Sequence, residues 1–160
     1  FEYDLSLGKL SVNSLLKPLT IYSATKVSLY TALSQLFIEN SIEFAWCRLF
    51  YLYGEGEDDR RLVPYLHKQL SEGKLVKLSS GKQIRDFLNV IQVGRIIYDI
   101  ALGNKQGPVN ICSGVPITVR QLAQKIAAKY NRIDLLKFGA RPDNLIDPLK
   151  VVGVPNFKSK

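Results

Sequence analysis

The stretch 44–52 constrains this chain more than any other: Phe-Ala-Trp-Cys-Arg-Leu-Phe-Tyr-Leu, nine residues interrupted only by Arg48. Such a run is too continuous for a strand with one wet face. It reads as a strand buried on both faces of a parallel sheet. Just before it, Leu29, Tyr30, Leu33, Leu36 and Phe37 recur at helical spacing, predicting a long amphipathic helix over 22–38 that ends at Asn40-Ser41. A helix feeding a buried strand is the alternation of an α/β layered fold.

The rest of the chain keeps to that alternation. Residues 1–5 read as the end of a strand, and a loop runs from there to about Thr20. Gly54 to Asp59 is a loop whose acidic end can cap a helix over 61–71, which Gly73 closes. Short strands are expected at 75–78 and 87–90, a helix at 93–102, a strand at 109–112 and a helix at 119–130 opened by Thr118. The remainder reads as irregular, with strand-like pieces. No internal repeat or low-complexity linker divides the 160 residues.

With 46% hydrophobic and 22% charged residues the composition is globular, enough for one ordinary domain or a piece of a larger one. No uncharged apolar run approaches the ~18 residues of a membrane span, so no membrane partner is expected. The net charge is +8, yet Lys and Arg are scattered, with only a mild excess in 156–160. There is no dense basic block and no aromatic RNA-binding motif, which argues for a solvated surface or anionic substrate phosphates over nucleic acid. Cys47 and Cys112 lack CxxC partners and read as reduced thiols. The opening residues show no basic-then-apolar pattern. The cytoplasm is the expected compartment.

Tyr22 and Lys26 are four apart on the first predicted helix, so their side chains share a face. An ammonium beside a phenol favours the phenolate, which suits proton exchange with a substrate hydroxyl or carbonyl. With eight tyrosines in the chain, a spacing of this kind arises roughly once by chance, so its context must decide. Glu55, Glu57, Asp58 and Asp59 fit no standard calcium loop and read as a solvated loop; no metal is expected. His67, the only histidine, has no second ligand or Ser/Asp arrangement nearby and is given no catalytic role. Trp46 reads as core.

The context is an ordered series of landmarks. Tyr22-Ser-Ala-Thr-Lys26 opens a helix, and Arg48-Leu-Phe-Tyr51-Leu-Tyr53-Gly54 ends the buried strand. Arg85-Asp86-Phe87 with Val90, and Asn110-Ile-Cys-Ser-Gly114 before the 119–130 helix, follow in turn. Over about residues 1–130 this series resembles the C-terminal half of the extended short-chain dehydrogenase/reductases, the NAD-dependent nucleotide-sugar epimerases and dehydratases. The resemblance implies an α/β fold: the C-terminal part of a Rossmann-type doubly wound sheet plus a small mixed α/β substrate-binding region. Residues 1–57 would belong to the dinucleotide-binding part and 58–160 mainly to the substrate region, with 84–112 returning to the first.

The resemblance also implies roles. Tyr22 would be the general acid/base, and Lys26 would promote its ionisation and, with Tyr22 and Tyr53, line the nicotinamide side of the cofactor, NAD or NADP. Arg61, Pro64 and Arg85 would bind the nucleotide-sugar substrate, Arg85 at its diphosphate. By its residues alone Arg85 remains equally open to a structural role, paired with Asp86 or another acid. Homodimers through the 22–38 helix are implied, with Tyr30, Leu33 and Phe37 suited to such a face. Two positions depart from the pattern: its strand Asn is Tyr51 here, and its Asp after Arg-Asp-Phe-x-x-Val is Gln92. No Gly-x-x-Gly-x-x-Gly occurs in the chain, so the cofactor would be bound mainly by an N-terminal half outside it, and these residues alone are expected to be inactive. Phe1 stands where a dehydratase's acid/base Glu would be. That favours a reductase or epimerase; a 4,6-dehydratase is the rival enzyme, and a non-catalytic binding module the rival of another class.

Overall fold

The computed structural model describes residues 1–157. A single 3-10 turn, Leu5–Leu7, precedes β1 (Lys9–Leu10), and α1 (Ile21–Glu39) leads into β2 (Ala45–Leu49) and β3 (Tyr51–Tyr53). α2 (Leu62–Ser71), β4 (Val76–Lys77), β5 (Ile84–Arg85) and β6 (Phe87–Asn89) follow, then α3 (Val90–Ala101) and β7 (Gly107–Ile111). The chain finishes with β8 (Ile117–Thr118), α4 (Val119–Lys129), a 3-10 turn at Ile133–Leu135, β9 (Leu136–Lys137) and β10 (Lys150–Gly153). The pairings are parallel for β2 with β7, β3 with β6, β4 with β9, and β10 with both β1 and β5; β5 with β8 alone is antiparallel. Parallel pairs joined by helices are the α/β layering expected from the sequence.

The helix ends follow local chemistry. Thr20 caps α1: its hydroxyl accepts from the Ser23 amide while the Ser23 side chain returns the bond. Thr118 and Gln121 repeat the device at α4. α3 starts three residues before the expected position, because the Asn89 side chain accepts from the Ile91 amide and caps it. The acidic loop does not cap α2: Arg61 stands at the cap position with no side-chain bond, while Asp58 pairs with Arg60 and Asp59 reaches Lys68. Gly73 does close α2, at φ +67.

Three other expectations are corrected. Residues 1–5 are not a strand end; Tyr3 makes a single bridge to Leu16, and a 3-10 turn begins at Leu5. The apolar run 44–52 is two strands, because β2 runs along β7 while the chain beyond Phe50 turns onto β6. Its faces are not both sealed, since Leu49 is 44% exposed. The apolar residues of α1 are not confined to one face: Tyr30 and Phe37 stack inward on Phe44 and Trp46, while Leu29, Leu36 and Ile38 face outward.

The core has three parts. α2 and α4 close on Val63, Leu66, Leu70, Val76, Ala123, Ile126 and Ala127. α3 covers β7 and β6 through Val93, Ile100, Val109, Ile111 and Leu88. Tyr3, Leu10, Phe50, Cys112 and Val151 fill the space between β1, β10 and the strand edges. Gly54 lies between two of these: a Cβ there would meet Val90 Cγ1 at 2.5 Å, so β3 and the start of α3 approach only through glycine. Among the described residues no helix is long and apolar enough to cross a membrane.

Candidate functional site

A cleft of about 960 Å³ opens between the start of α1, the ends of β2 and β3, and the start of α2. Because the Thr20 cap begins α1 at Ile21, Tyr22 falls in its first turn and Lys26 one turn on, both at the cleft. Tyr22 is 70% exposed. The Lys26 ammonium stands 5.8 Å from the centre of the Tyr22 ring and 5.8 Å from that of Trp46. Trp46 is thus a half-buried wall of the cleft and not core. Arg61 and Arg85 line the same cleft; Tyr53 and Pro64 do not. Tyr53 instead packs against the core of α2 and α4, and Pro64 lies in the first turn of α2.

Arg48, the one charge in the apolar run, explains how the opening residues join the site. Trp46 and Arg48 are two apart on β2, so they share a face, and both donate to Glu2: Trp46 Nε1 at 3.0 Å and Arg48 Nε at 2.8 Å. Arg48 Nη1 donates to the Tyr3 hydroxyl at 3.0 Å, and that hydroxyl donates to Asn110 Oδ1 at 2.6 Å. Asn110 Nδ2 donates onward to the Leu10 carbonyl at 2.9 Å. The guanidinium lies between the Tyr3 and Tyr30 rings, 4.9 and 4.8 Å from their centres. Burial pushes the Tyr3 phenol up, against the lowering pull of Arg48. This chain of buried, mutually satisfied groups ties residues 2–3 to β2, α1 and β7.

Arg85 and Asp86 part company although adjacent. The Asp86 carboxylate is fully buried and accepts from the Ser113 amide at 2.7 Å, the Ser113 hydroxyl at 2.6 Å, the Gly114 amide at 2.9 Å and the Gly153 amide at 3.1 Å. It therefore ties the junction of β5 and β6 to the segment just after β7 and to β10, and is not the partner of Arg85. Arg85 turns the other way, donating from Nη2 to Asp147 Oδ2 at 2.6 Å and from Nη1 to the Ile84 carbonyl at 2.9 Å, with its plane over the Tyr51 ring at 5.2 Å. Rings pave this side: Phe1 touches Phe50 and Tyr51 at 5.6 and 5.3 Å between centres, and Tyr51 touches Phe87 at 5.8 Å. Glu57 also lines the cleft; burial pushes its carboxyl up, and one of its oxygens is buried without a partner among the described residues.

Glu2 and Tyr3 were not found from the sequence; Asp86, expected as a possible partner of Arg85, and Glu57, expected in a solvated loop, take other places here. A buried arginine demands a counter-ion, but nothing local marks Glu2, 46 positions away, as that acid. Outside the cleft His67 hydrogen-bonds the Tyr130 hydroxyl at 2.8 Å, joining α2 to α4. Cys47 and Cys112 are free thiols, and burial pushes Cys112 up to about 12. The described residues contain no group of three or more potential metal ligands.

Residues 8–112 match the NAD dependent epimerase/dehydratase family, and the chain belongs to it. Among individual relatives, the chain is 22% identical over 154 residues to a dTDP-6-deoxy-L-talose 4-dehydrogenase (NAD(+)) from Aggregatibacter actinomycetemcomitans, covering 95% of this chain and 57% of that protein. Its fold is similar to that of a UDP-glucose 4-epimerase from Thermotoga maritima solved with UDP-glucose, with a TM-score of 0.81 at 20% identity, over 92% of this chain and 48% of that one. It is likewise similar to a UDP-N-acetylglucosamine 4-epimerase from Methanobrevibacter ruminantium M1 in complex with UDP-N-acetylmuramic acid, at a TM-score of 0.82 and 19% identity, over 92% and 48%. The chain spans about half the length of these relatives.

Proposed function

We propose that these residues form the proton-transfer and substrate side of an NAD(P)-dependent reductase or epimerase acting on a nucleotide-linked sugar. The observation that carries this reading is that Tyr22 and Lys26 of α1, Arg61 at the start of α2 and Arg85 of β5, from three separate segments, open on one cleft. Tyr22 passes a proton to or from a sugar oxygen, and Lys26 stabilises the phenolate by its charge. Arg85, stacked and buried, presents a planar cation to a diphosphate, and Arg61 adds positive charge at the α2 end of the cleft. An exposed phenol beside a lysine ammonium also fits the ribose and nicotinamide end of NAD, and Tyr22 and Lys26 would hold that end. When bound, the nicotinamide supplies the site that accepts or returns hydride. Nothing in the 160 residues matches a pyrophosphate fingerprint, so turnover is proposed to require the glycine-rich half found in doubly wound dinucleotide-binding folds.

Phe1 favours this reading over dehydration: its ring lies against Phe50 and Tyr51 at the cleft and offers no group to take up a proton. The pairing of β2 and β3 with β7 and β6 supports assigning 84–112 to the same unit as 1–57, with the remainder serving the substrate. The outward apolar residues of α1 support a homodimer through that helix, and the cytoplasm is the proposed location. In the full-length protein, assayed with UDP- and dTDP-linked hexoses and NAD or NADP by absorbance of the reduced cofactor, Tyr22→Phe is expected to lower kcat by roughly 10² to 10⁴ with nucleotide binding retained. Unchanged kcat in that variant removes the role given to Tyr22.

A further inference from the structure

Lys26 is half-buried at the cleft, and among the described residues its ammonium makes no hydrogen bond or ion pair. What it meets is two ring faces, Tyr22 and Trp46, each 5.8 Å away at the centre. A lysine stem has several rotamers and does not by itself keep its ammonium beside Tyr22. The indole supplies a second point of attachment, being the strongest of the aromatic faces for a cation. It is fixed in turn: Nε1 donates to Glu2 Oε1 at 3.0 Å, and the ring packs on Tyr30 and Phe44 at 5.6 and 6.1 Å between centres.

The acids of the cleft are engaged elsewhere. Arg48 holds Glu2 Oε2 at 2.8 Å and Trp46 holds Oε1, so both oxygens of that carboxylate are committed. Asp58 pairs with Arg60, and Glu57, with Arg61 beside it, keeps one oxygen buried. Arg85 is paired with Asp147, the Tyr3 hydroxyl is turned to Arg48 and Asn110, and Cys47 packs toward the core under α3. A carboxylate against Lys26 would hold the lysine but offset its charge. A neutral ring holds it and leaves the charge to act on the phenol. We propose that Trp46 is a positioning residue for Lys26: its face keeps the ammonium beside Tyr22, and its N–H occupies the Glu2 oxygen that would otherwise compete for that ammonium. The inference rests on the proton-transfer reading of Tyr22 and Lys26 above and adds to it the group that holds the lysine.

The test is the pH profile of kcat/KM in the full-length protein, taken in the direction in which Tyr22 takes up the proton, so that the rate rises as the phenol ionises. Trp46→Leu removes the ring face. It is expected to lower kcat/KM about threefold on the rising limb and to displace that rise to higher pH, because a less localised ammonium favours the phenolate less. In a Lys26→Met background the same substitution is expected to have no further effect, since Trp46 acts through Lys26. An undisplaced rise in Trp46→Leu, with turnover strongly reduced in Tyr22→Phe, overturns the role of Trp46 and leaves that of Tyr22 standing. An equal displacement in the Lys26→Met background assigns Trp46 to packing and also overturns the proposal. Full turnover in Tyr22→Phe removes both readings. Should Trp46→Leu fail to fold, indole emission decides. Trp46 is the only tryptophan of these 160 residues, and its emission is the difference between the unmodified protein and Trp46→Phe. Lys26→Met is expected to alter that emission; an unaltered spectrum overturns the contact.

Discussion

Arg48 is the residue on which the site is assembled. At 6% exposure it lies between the Tyr3 and Tyr30 rings and donates to the Glu2 carboxylate and to the Tyr3 hydroxyl, which in turn donates a hydrogen bond to Asn110. Replacing it with leucine would leave Glu2 buried without its ion partner, a loss of about 3–5 kcal/mol when one member of such a pair is removed. Urea denaturation of Arg48→Leu should read that loss as a lowered midpoint with little change in slope. A midpoint within error of the unmodified protein would mean that the Glu2 contact contributes nothing. The sequence made Arg48 visible as an anomaly, one charge among eight apolar neighbours, but not its answer. Charge pairing across 46 residues has no local periodicity to betray it. For the same reason Arg85 and Asp86, neighbours along the chain, resolve into two unrelated roles, since successive residues of an extended segment point to opposite sides.

At the scale of elements, every expected helix is present, because helical spacing and caps are encoded within a few residues. Thr20, Thr118 and Gly73 mark ends that local chemistry makes readable. The two-residue strands β1, β5, β8 and β9 escaped notice, since each exists only through a partner distant in sequence. One contact between elements carries a pH dependence. His67 of α2 hydrogen-bonds Tyr130 at the end of α4, and burial, with Lys129 adding to it, lowers its pKa below the usual histidine value. The unfolded chain therefore binds more protons than the folded one between that lowered value and about 6.5. Its contribution is present above the unfolded pKa and is lost as pH falls through the folded one. Thermal midpoints taken from pH 7.5 down to 5 should decline, and His67→Gln should make that decline shallower; an identical slope in the variant rules out His67 as its source.

Across the whole molecule, α1 carries apolar side chains on two sides. Tyr30 and Phe37, expected at an outer face, in fact turn to Phe44 and Trp46, and Leu33 is half-buried beside them. Leu29 and Leu36, two turns apart on one face, are exposed, and Ile38 is exposed on another side, so α1 shows apolar surface to solvent. If α1 is a dimer face, Leu29→Glu with Leu36→Glu in the full-length protein should halve the mass measured by analytical ultracentrifugation while the Tyr22 cleft keeps its nucleotide affinity. A mass unaltered by the pair of charges counts against that face.

The sequence by itself determined the α/β alternation, the helix ends and the family, because hydrophobic period, cap residues and the order of short motifs are properties of neighbouring residues. It also brought out Tyr22, Lys26 and Arg85 as candidates. Only the tertiary structure decided that Tyr22, Lys26, Arg61 and Arg85 share one cleft while Tyr53 and Pro64 stand off it. It alone revealed that Glu2 answers Arg48, and that Asp147, not Asp86, answers Arg85. Those outcomes depend on which strands pair and on the direction each side chain then takes, and such long-range choices are made by the packing of the whole chain.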